Sequence, residues 1–250
     1  MAQRIAHAWQ WLHSLVFVIQ MYAMMGIMGV VFFPAALLTH HGARFAAKLY
    51  CRWVLWTARW MVGLRGEIRG EIPTGEVMVA AKHQSFFDII LIFNALPAAK
   101  FIMKRELLWT PVIGQYAYRI GCIPVDRGKR GAAIKKMVRD VAKGTQRPGQ
   151  LVIYPQGTRV AAGAFKPYKV GTAILSEELG QDCVPTATNV GVFWKRTGIY
   201  RKPGLAVVEF LPAIPQGLVR EEFMARLQEE VETASDALMR EAGFDPDAVD

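Results

Sequence analysis

Residues 15–33, LVFVIQMYAMMGIMGVVFF, carry no charge and one clearly polar side chain, Gln20. A helix of that length just spans a hydrocarbon core, and Pro34 is expected to end or kink it. Arg4 before the run and Pro34-Ala35-Ala36 after it loosely fit a signal peptide. The run exceeds a normal secretory apolar core, so the anchor reading is favoured. Residues 43–64 differ in kind. Arg44, Lys48, Arg52 and Arg59 recur at helical spacing, beside a face carrying Leu49, Trp53, Trp56 and Trp60. A basic face next to a Trp-rich one suits a helix lying in the headgroup layer. A core helix with a solvated rim gives the same periodicity.

Beyond Arg65 the pattern changes to short β-rich runs alternating with helical stretches. Strands are expected at 77–81, 100–103, 122–125, 151–154, 184–190 and 206–211, and helices at 86–95, 112–120, 132–143, 170–179 and 221–240. Such alternation predicts an α/β fold, a largely parallel sheet flanked by helices. The expected division is an N-terminal membrane-associated two-helix segment over 1–64 and a catalytic domain over 65–250. The last six residues, DPDAVD, read as a frayed tail.

Composition sharpens this picture. At 52% hydrophobic and 20% charged, the chain is too apolar for an ordinary soluble domain and too mixed for a polytopic channel. The net charge of +9 is uneven: from Pro212 onward three Arg face ten Asp and Glu, so the rest is strongly cationic. A field of that kind gathers anionic headgroups, phosphorylated substrates or nucleic acid. Cys51, Cys122 and Cys183 are too few and scattered for a disulfide framework or zinc site, and read as reduced packing residues on the cytosolic side.

In parallel sheets ligands gather at the carboxyl ends of strands, and the chemically loaded residues here follow strands. The first group is Lys82-His83-Gln84-Ser85-Phe86-Phe87-Asp88. An H-x4-D spacing puts the two side chains about 140° apart on a regular helix. They meet only if His83 precedes a helix whose first turn holds Asp88, and Ser85 supplies the expected N-cap. Asp88 would then fix the imidazole tautomer and leave the other nitrogen as a base. The alternative is a capping box, Ser85-Phe86-Phe87-Asp88, in which Asp88 only satisfies helix-end amides. The second group is Ile123-Pro124-Val125-Asp126-Arg127, ending on a cation. The third is Tyr154-Pro155-Gln156-Gly157-Thr158-Arg159, a strand running into a Gly turn with a hydroxyl and a guanidinium fork suited to phosphate. Lys104, Lys166 and Lys169 add to its positive potential. The fourth, Val184-Pro185-Thr186-Ala187, is apolar and reads as packing.

These four segments, in this order, resemble the glycerophospholipid acyltransferase family. Its H-x4-D block is matched by His83 and Asp88, its Asp-Arg strand by IPVDR, its Phe-Pro-Glu-Gly-Thr-Arg block by YPQGTR, and its Val-Pro element by VPTA. The resemblance covers roughly residues 75–215. It implies acyl transfer from acyl-CoA or acyl-carrier protein to the sn-2 hydroxyl of lysophosphatidic acid, giving phosphatidic acid. In that scheme His83 is the general base and Asp88 its orienting partner. Lys104, Arg127, Gly157, Thr158 and Arg159 would bind the substrate phosphate. Gln156 departs from the family's Glu: it keeps the hydrogen-bonding shape and loses the charge.

No metal, nucleotide or other cofactor motif is present, so no cofactor is expected beyond the acyl donor, and the partners expected are anionic membrane lipids. No G-x-S-x-G occurs either, which favours direct transfer over an acyl-enzyme. The expected location is the cytoplasmic membrane, with the catalytic domain on its cytosolic face. Two further readings stand: acylation of another lyso-lipid such as lyso-ornithine lipid, and a non-catalytic membrane-surface protein. No nucleic-acid-binding pattern is found.

Overall fold

The computed structural model describes residues 2–125 and 148–248. Three helices open the chain: α1 (Ala2–Val31), α2 (Phe33–Leu38) and α3 (His40–Val62). Pro34 sits in the first turn of α2, where its missing N–H costs nothing. Thr39 Oγ1 accepts from Gly42 N–H at 2.9 Å and starts α3. Gly63, with φ of 69°, ends it in the left-handed conformation.

One helical stretch, Gln3–Val31, is long and apolar enough to cross a membrane, with a mean hydropathy of 2.0. Most of α1's large apolar residues face outward, including Ile5, Trp9, Ile19 and Val30, while Phe17 and Met21 turn inward. Gln20, the polar exception, donates to Thr57 Oγ1 at 3.0 Å and accepts from Trp53 Nε1 at 2.8 Å. A polar side chain in an apolar helix is thereby satisfied by its neighbour.

The structure amends the expectation for α3. Ala43, Ala46, Cys51, Val54, Ala58 and Val62 form a buried stripe of mostly small residues that lets α3 pack between α1 and the catalytic domain. Two of its cations turn inward as well: Lys48 Nζ donates to Asn94 O at 3.4 Å and Arg44 Nη1 to Pro97 O at 3.3 Å. Asn94 lies in the last turn of a following helix, a natural place for a cation, and Pro97 just past its end. Arg52, Arg59, Trp56 and Trp60 stay exposed. The helix is a core element with an exposed basic and aromatic rim, rather than one lying free in the headgroups.

Seven strands follow: β1 (Leu64–Arg69), β2 (Met78–Ala81), β3 (Lys100–Lys104), β4 (Ile123–Val125), β5 (Leu151–Ile153), β6 (Cys183–Thr188) and β7 (Gly204–Phe210). They form one sheet in the order β1-β7-β6-β2-β5-β3-β4. Every pairing is parallel except β6 with β7, so β1 and β7 run against the other five. The expected α/β class and largely parallel sheet are present. Among the described residues four more helices flank the sheet: α4 (Phe87–Ala95), α5 (Ile113–Ile120), α6 (Gly171–Leu179) and α7 (Arg220–Glu241).

Two apolar clusters divide by sheet face. Val79 and Ala81 of β2 pack with α1, α3 and α4; Met78 and Ala80 pack with α6 and α7. This is the period-two alternation of a strand buried on both sides. The four residues VPTA lie within β6 and are all buried, as a packing element should be. The expected helix over 132–143 lies outside the described residues. The expected frayed tail is corrected as far as Ala248: Pro246–Ala248 forms a 3-10 turn with Pro246 buried, and Asp247 Oδ2 accepts from Arg240 at 2.8 Å. Arg240, in the last turn of α7, supplies the partner that holds this turn.

Candidate active site

His83 lies just past the carboxyl end of β2, and its carbonyl accepts from Val160 N–H at 2.8 Å. Helix α4 starts four residues on, so Asp88 falls in its first turn. His83 Nδ1 is 2.9 Å from Asp88 Oδ1, and Asp88 is wholly buried. An ionised carboxylate can only accept, so Nδ1 carries the proton and Nε2 keeps its lone pair. The imidazole is partly open, its side chain 13% exposed, and Nε2 makes no hydrogen bond among the described residues.

Asp88's second oxygen accepts from the backbone N–H groups of Gln84 and Ser85, each at 2.8 Å. Ser85 Oγ in turn accepts from Phe87 N–H at 3.0 Å. The helix therefore begins one residue later than expected, with Ser85 capping from just outside it. The dyad and the capping box are one structure. One oxygen of Asp88 folds the turn, and the other holds the histidine.

Further contacts fix this turn. Gln84 is buried, and its Oε1 accepts from Gly191 N–H at 2.8 Å. Phe87 stacks on Trp194 at 5.3 Å between centroids, and Phe17 of α1 meets the same indole edge-on at 5.6 Å. Arg201 lies over Trp194 at 4.1 Å. Its amide donates to Ser14 Oγ, and its carbonyl accepts from Gln10 Nε2 at 2.8 Å. The apolar N-terminal helix is thus joined through one tryptophan to the first turn of the dyad's helix.

The Tyr154–Arg159 turn follows β5, which pairs with β2 in parallel, so it reaches the same edge of the sheet as His83. Gly157 has φ of 68°, a conformation that favours glycine; an added Cβ would meet only the movable end of the Lys169 side chain. The Gly157 N–H donates to Tyr154 O at 2.8 Å, inside the turn itself. Its contribution is the shape of the turn. Thr158 is half-buried and Arg159 exposed, with Arg159 Nη1 donating to Arg196 O at 3.3 Å. Lys104 is exposed at the end of β3, on the same edge. Arg127 lies outside the described residues. Gln156 is buried; its Nε2 makes a long contact of 3.5 Å with Lys166 O, and its Oε1 has no partner among the described residues. An amide can donate to that carbonyl, whereas the family's carboxylate could not.

Tyr154, Lys82, Tyr168 and Glu232 have contacts at this strand end that the sequence did not reveal. Tyr154 stacks on His83, with centroids 3.9 Å apart and planes 16° from parallel, and its hydroxyl donates to Asp88 Oδ1 at 3.2 Å. Burial, followed by the Asp88 charge and this bond, holds the Tyr154 phenol well above its usual pKa, so it stays a donor. Lys82, 1% exposed, pairs with Glu232 of α7 at 2.6 Å, and Tyr168 donates to the other Glu232 oxygen at 2.8 Å. Contact between residues so far apart in the chain depends on the fold, which local pattern does not encode. No cluster of three or more metal-ligating side chains occurs among the described residues.

Comparison with known proteins agrees with this arrangement. The family profile described as Acyltransferase matches residues 65–189, a span that contains the dyad, the Arg159 turn and the Val-Pro strand. The 1-acyl-sn-glycerol-3-phosphate acyltransferase of Pseudomonas aeruginosa is 28% identical over 173 residues, covering 68% of this chain and 67% of that protein. The alpha form from Mus musculus is 28% identical over 201 residues, covering 78% and 70%. Among solved structures, the 1-acyl-sn-glycerophosphate (LPA) acyltransferase of Thermotoga maritima has the same fold. Its TM-score is 0.77 at 16% identity, covering 93% of this chain and 98% of that one. With the match spanning half of its length and including both members of the dyad, this chain belongs to the acyltransferase family.

Proposed function

We propose that the protein acylates the free sn-2 hydroxyl of lysophosphatidic acid, using acyl-CoA or acyl-carrier protein as donor, and so forms phosphatidic acid. His83 Nε2 removes the hydroxyl proton as the oxygen attacks the thioester carbonyl, and collapse of the tetrahedral species expels the thiolate. Asp88 keeps the imidazole in the required tautomer and stabilises it once protonated, the role a triad carboxylate plays. Arg159 and Lys104 engage the phosphate, with Thr158 and the shape of the Gly157 turn supporting Arg159, and Arg127 completes the set. The acceptor is drawn from the bilayer that α1 contacts, and the donor arrives from the cytosol.

The observation that carries this reading is the His83–Asp88 pair, with an unbonded Nε2 on the same sheet edge as the Arg159 turn. The names of the curated relatives support the acceptor. Thiol release by the purified protein in detergent tests it, with lysophosphatidic acid, lysophosphatidylglycerol and lyso-ornithine lipid offered to each donor. Turnover with lysophosphatidic acid at least tenfold above the others is expected. Preference for another lyso-lipid would move the assignment to that acceptor, and Gln156 would then be the first residue to exchange.

A further inference from the structure

We infer that Tyr154 is a positioning residue that fixes the orientation of the His83 imidazole. The inference rests on His83 acting as the base, and deepens that reading. Two independent contacts carry it. The phenol ring covers one face of the imidazole at 3.9 Å, nearly parallel, and its hydroxyl reaches Asp88 Oδ1 at 3.2 Å. That is the same oxygen that His83 Nδ1 meets at 2.9 Å. Asp88 Oδ1 is therefore shared between an imidazole and a phenol, while Oδ2 is committed to two backbone amides.

The hydroxyl holds the carboxylate oxygen that the imidazole meets, and the ring holds the imidazole itself. Asp88 fixes one atom of the imidazole, which leaves the ring free to swing about that bond; the stacked phenol blocks the swing and keeps Nε2 aimed outward. The charged groups around the imidazole come from several elements. Asp88 belongs to α4, Lys104 and Arg159 lie at the rim of the same edge, and Lys82 is turned to the opposite face and held by Glu232. None of these duplicates the phenol's contact with Asp88.

Tyr154→Phe keeps the stack and removes the hydroxyl; Phe is also the residue of the family's block, so the fold should accept it. Tyr154→Leu removes both. With histidine labelled by 15N, the His83 ring signals are assigned by their loss in His83→Ala and recorded in detergent without substrate. In Tyr154→Phe they should stay sharp and close to the parent's, with kcat and both KM values within about threefold. In Tyr154→Leu the ring signals should shift and broaden, and kcat should fall at least tenfold with KM held. Unchanged kcat, or ring signals that superimpose on the parent's, in a folded Tyr154→Leu protein overturns the orienting role, as does a Tyr154→Phe protein as slow as Tyr154→Leu. Because the ring signals need no turnover, they give their answer even if thiol release shows the acylation reading to be wrong.

Discussion

Lys82 and His83 are neighbours in the chain, yet they reach opposite faces of the sheet: Lys82 Nζ meets Glu232 of α7, and His83 Nδ1 meets Asp88 of α4. They continue the alternation of β2, in which Met78 and Ala80 face one layer and Val79 and Ala81 the other. The strand end is therefore pinned on both sides, and the histidine's placement depends on an ion pair it does not touch. Removing one partner leaves a charge buried without compensation, at a cost of about 3–5 kcal/mol. Glu232→Gln and Lys82→Met should each lower the thermal unfolding midpoint clearly. The double variant Lys82→Met/Glu232→Leu should recover much of the loss. Single variants as stable as the parent would show that the pair contributes nothing.

The dyad makes a sharper prediction about turnover. His83→Ala should reduce kcat by about a hundred- to ten-thousand-fold while acceptor KM changes little. Asp88→Asn should be slow and also less stable, because Asp88 anchors the Gln84 and Ser85 amides as well as the imidazole. Near-parental turnover in folded His83→Ala protein would remove His83 from the chemistry.

Arg159 is exposed, and its one hydrogen bond among the described residues is to the Arg196 carbonyl. Arg159→Ala should accordingly leave stability almost unchanged and raise the acceptor KM tenfold or more. Arg159→Lys should recover only part of this, because an ammonium lacks the planar fork. An unchanged KM would place the phosphate elsewhere.

The rim of α3 predicts how the protein sits on a bilayer. Trp56 and Trp60 are 55% and 70% exposed, beside exposed Arg52 and Arg59. Replacing both tryptophans with alanine should weaken cosedimentation with vesicles containing anionic lipid, without lowering turnover on detergent-dispersed substrate. Equal sedimentation of the variant would confine lipid contact to α1.

Cys122 supplies a pH prediction. Burial is the main reason its thiol is raised to about 11 from the usual 9.0; the Phe101 N–H, Arg44 and Lys100 oppose the rise. An acid with a raised folded pKa stabilises the fold below its unfolded value, and this contribution is lost as pH climbs through the folded one. Stability should decline between pH 9 and 11, less so in Cys122→Ala. Alkylation of Cys122 at pH 8 should be slow until denaturant is added.

Much of this was legible in the chain because local rules decided it. The H-x4-D geometry has only one way to close, with a turn before a helix, and Ser85 marked that turn. Strands β2 to β6 announced themselves as short apolar runs between turns. Strand β1, LRGEIR, did not: it is an edge strand with alternate positions Arg65, Glu67 and Arg69, and only β7 pairs with it. Nothing local predicts that β7 runs backwards. Nor does the sequence hint that the Tyr154 ring lies on His83, since that depends on β5 lying beside β2. The inward turn of Arg44 and Lys48 was hidden for the same reason: the carbonyls they meet, Pro97 and Asn94, arrive some fifty residues later.

The reversed pair β1 and β7 has a geometric consequence for the substrate. Because β1 runs against β2, its first residue, Leu64, lies at the edge of the sheet where β2 delivers His83. Helix α3, ending at Val62, reaches that same edge, and α1 is fastened there through Gln10. Had all seven strands been parallel, the apolar helices would have ended at the far side of the sheet from the dyad. Strand polarity thus decides how far a lipid dissolved beside α1 has to rise to be acylated: the journey is along one rim, not across the thickness of the domain.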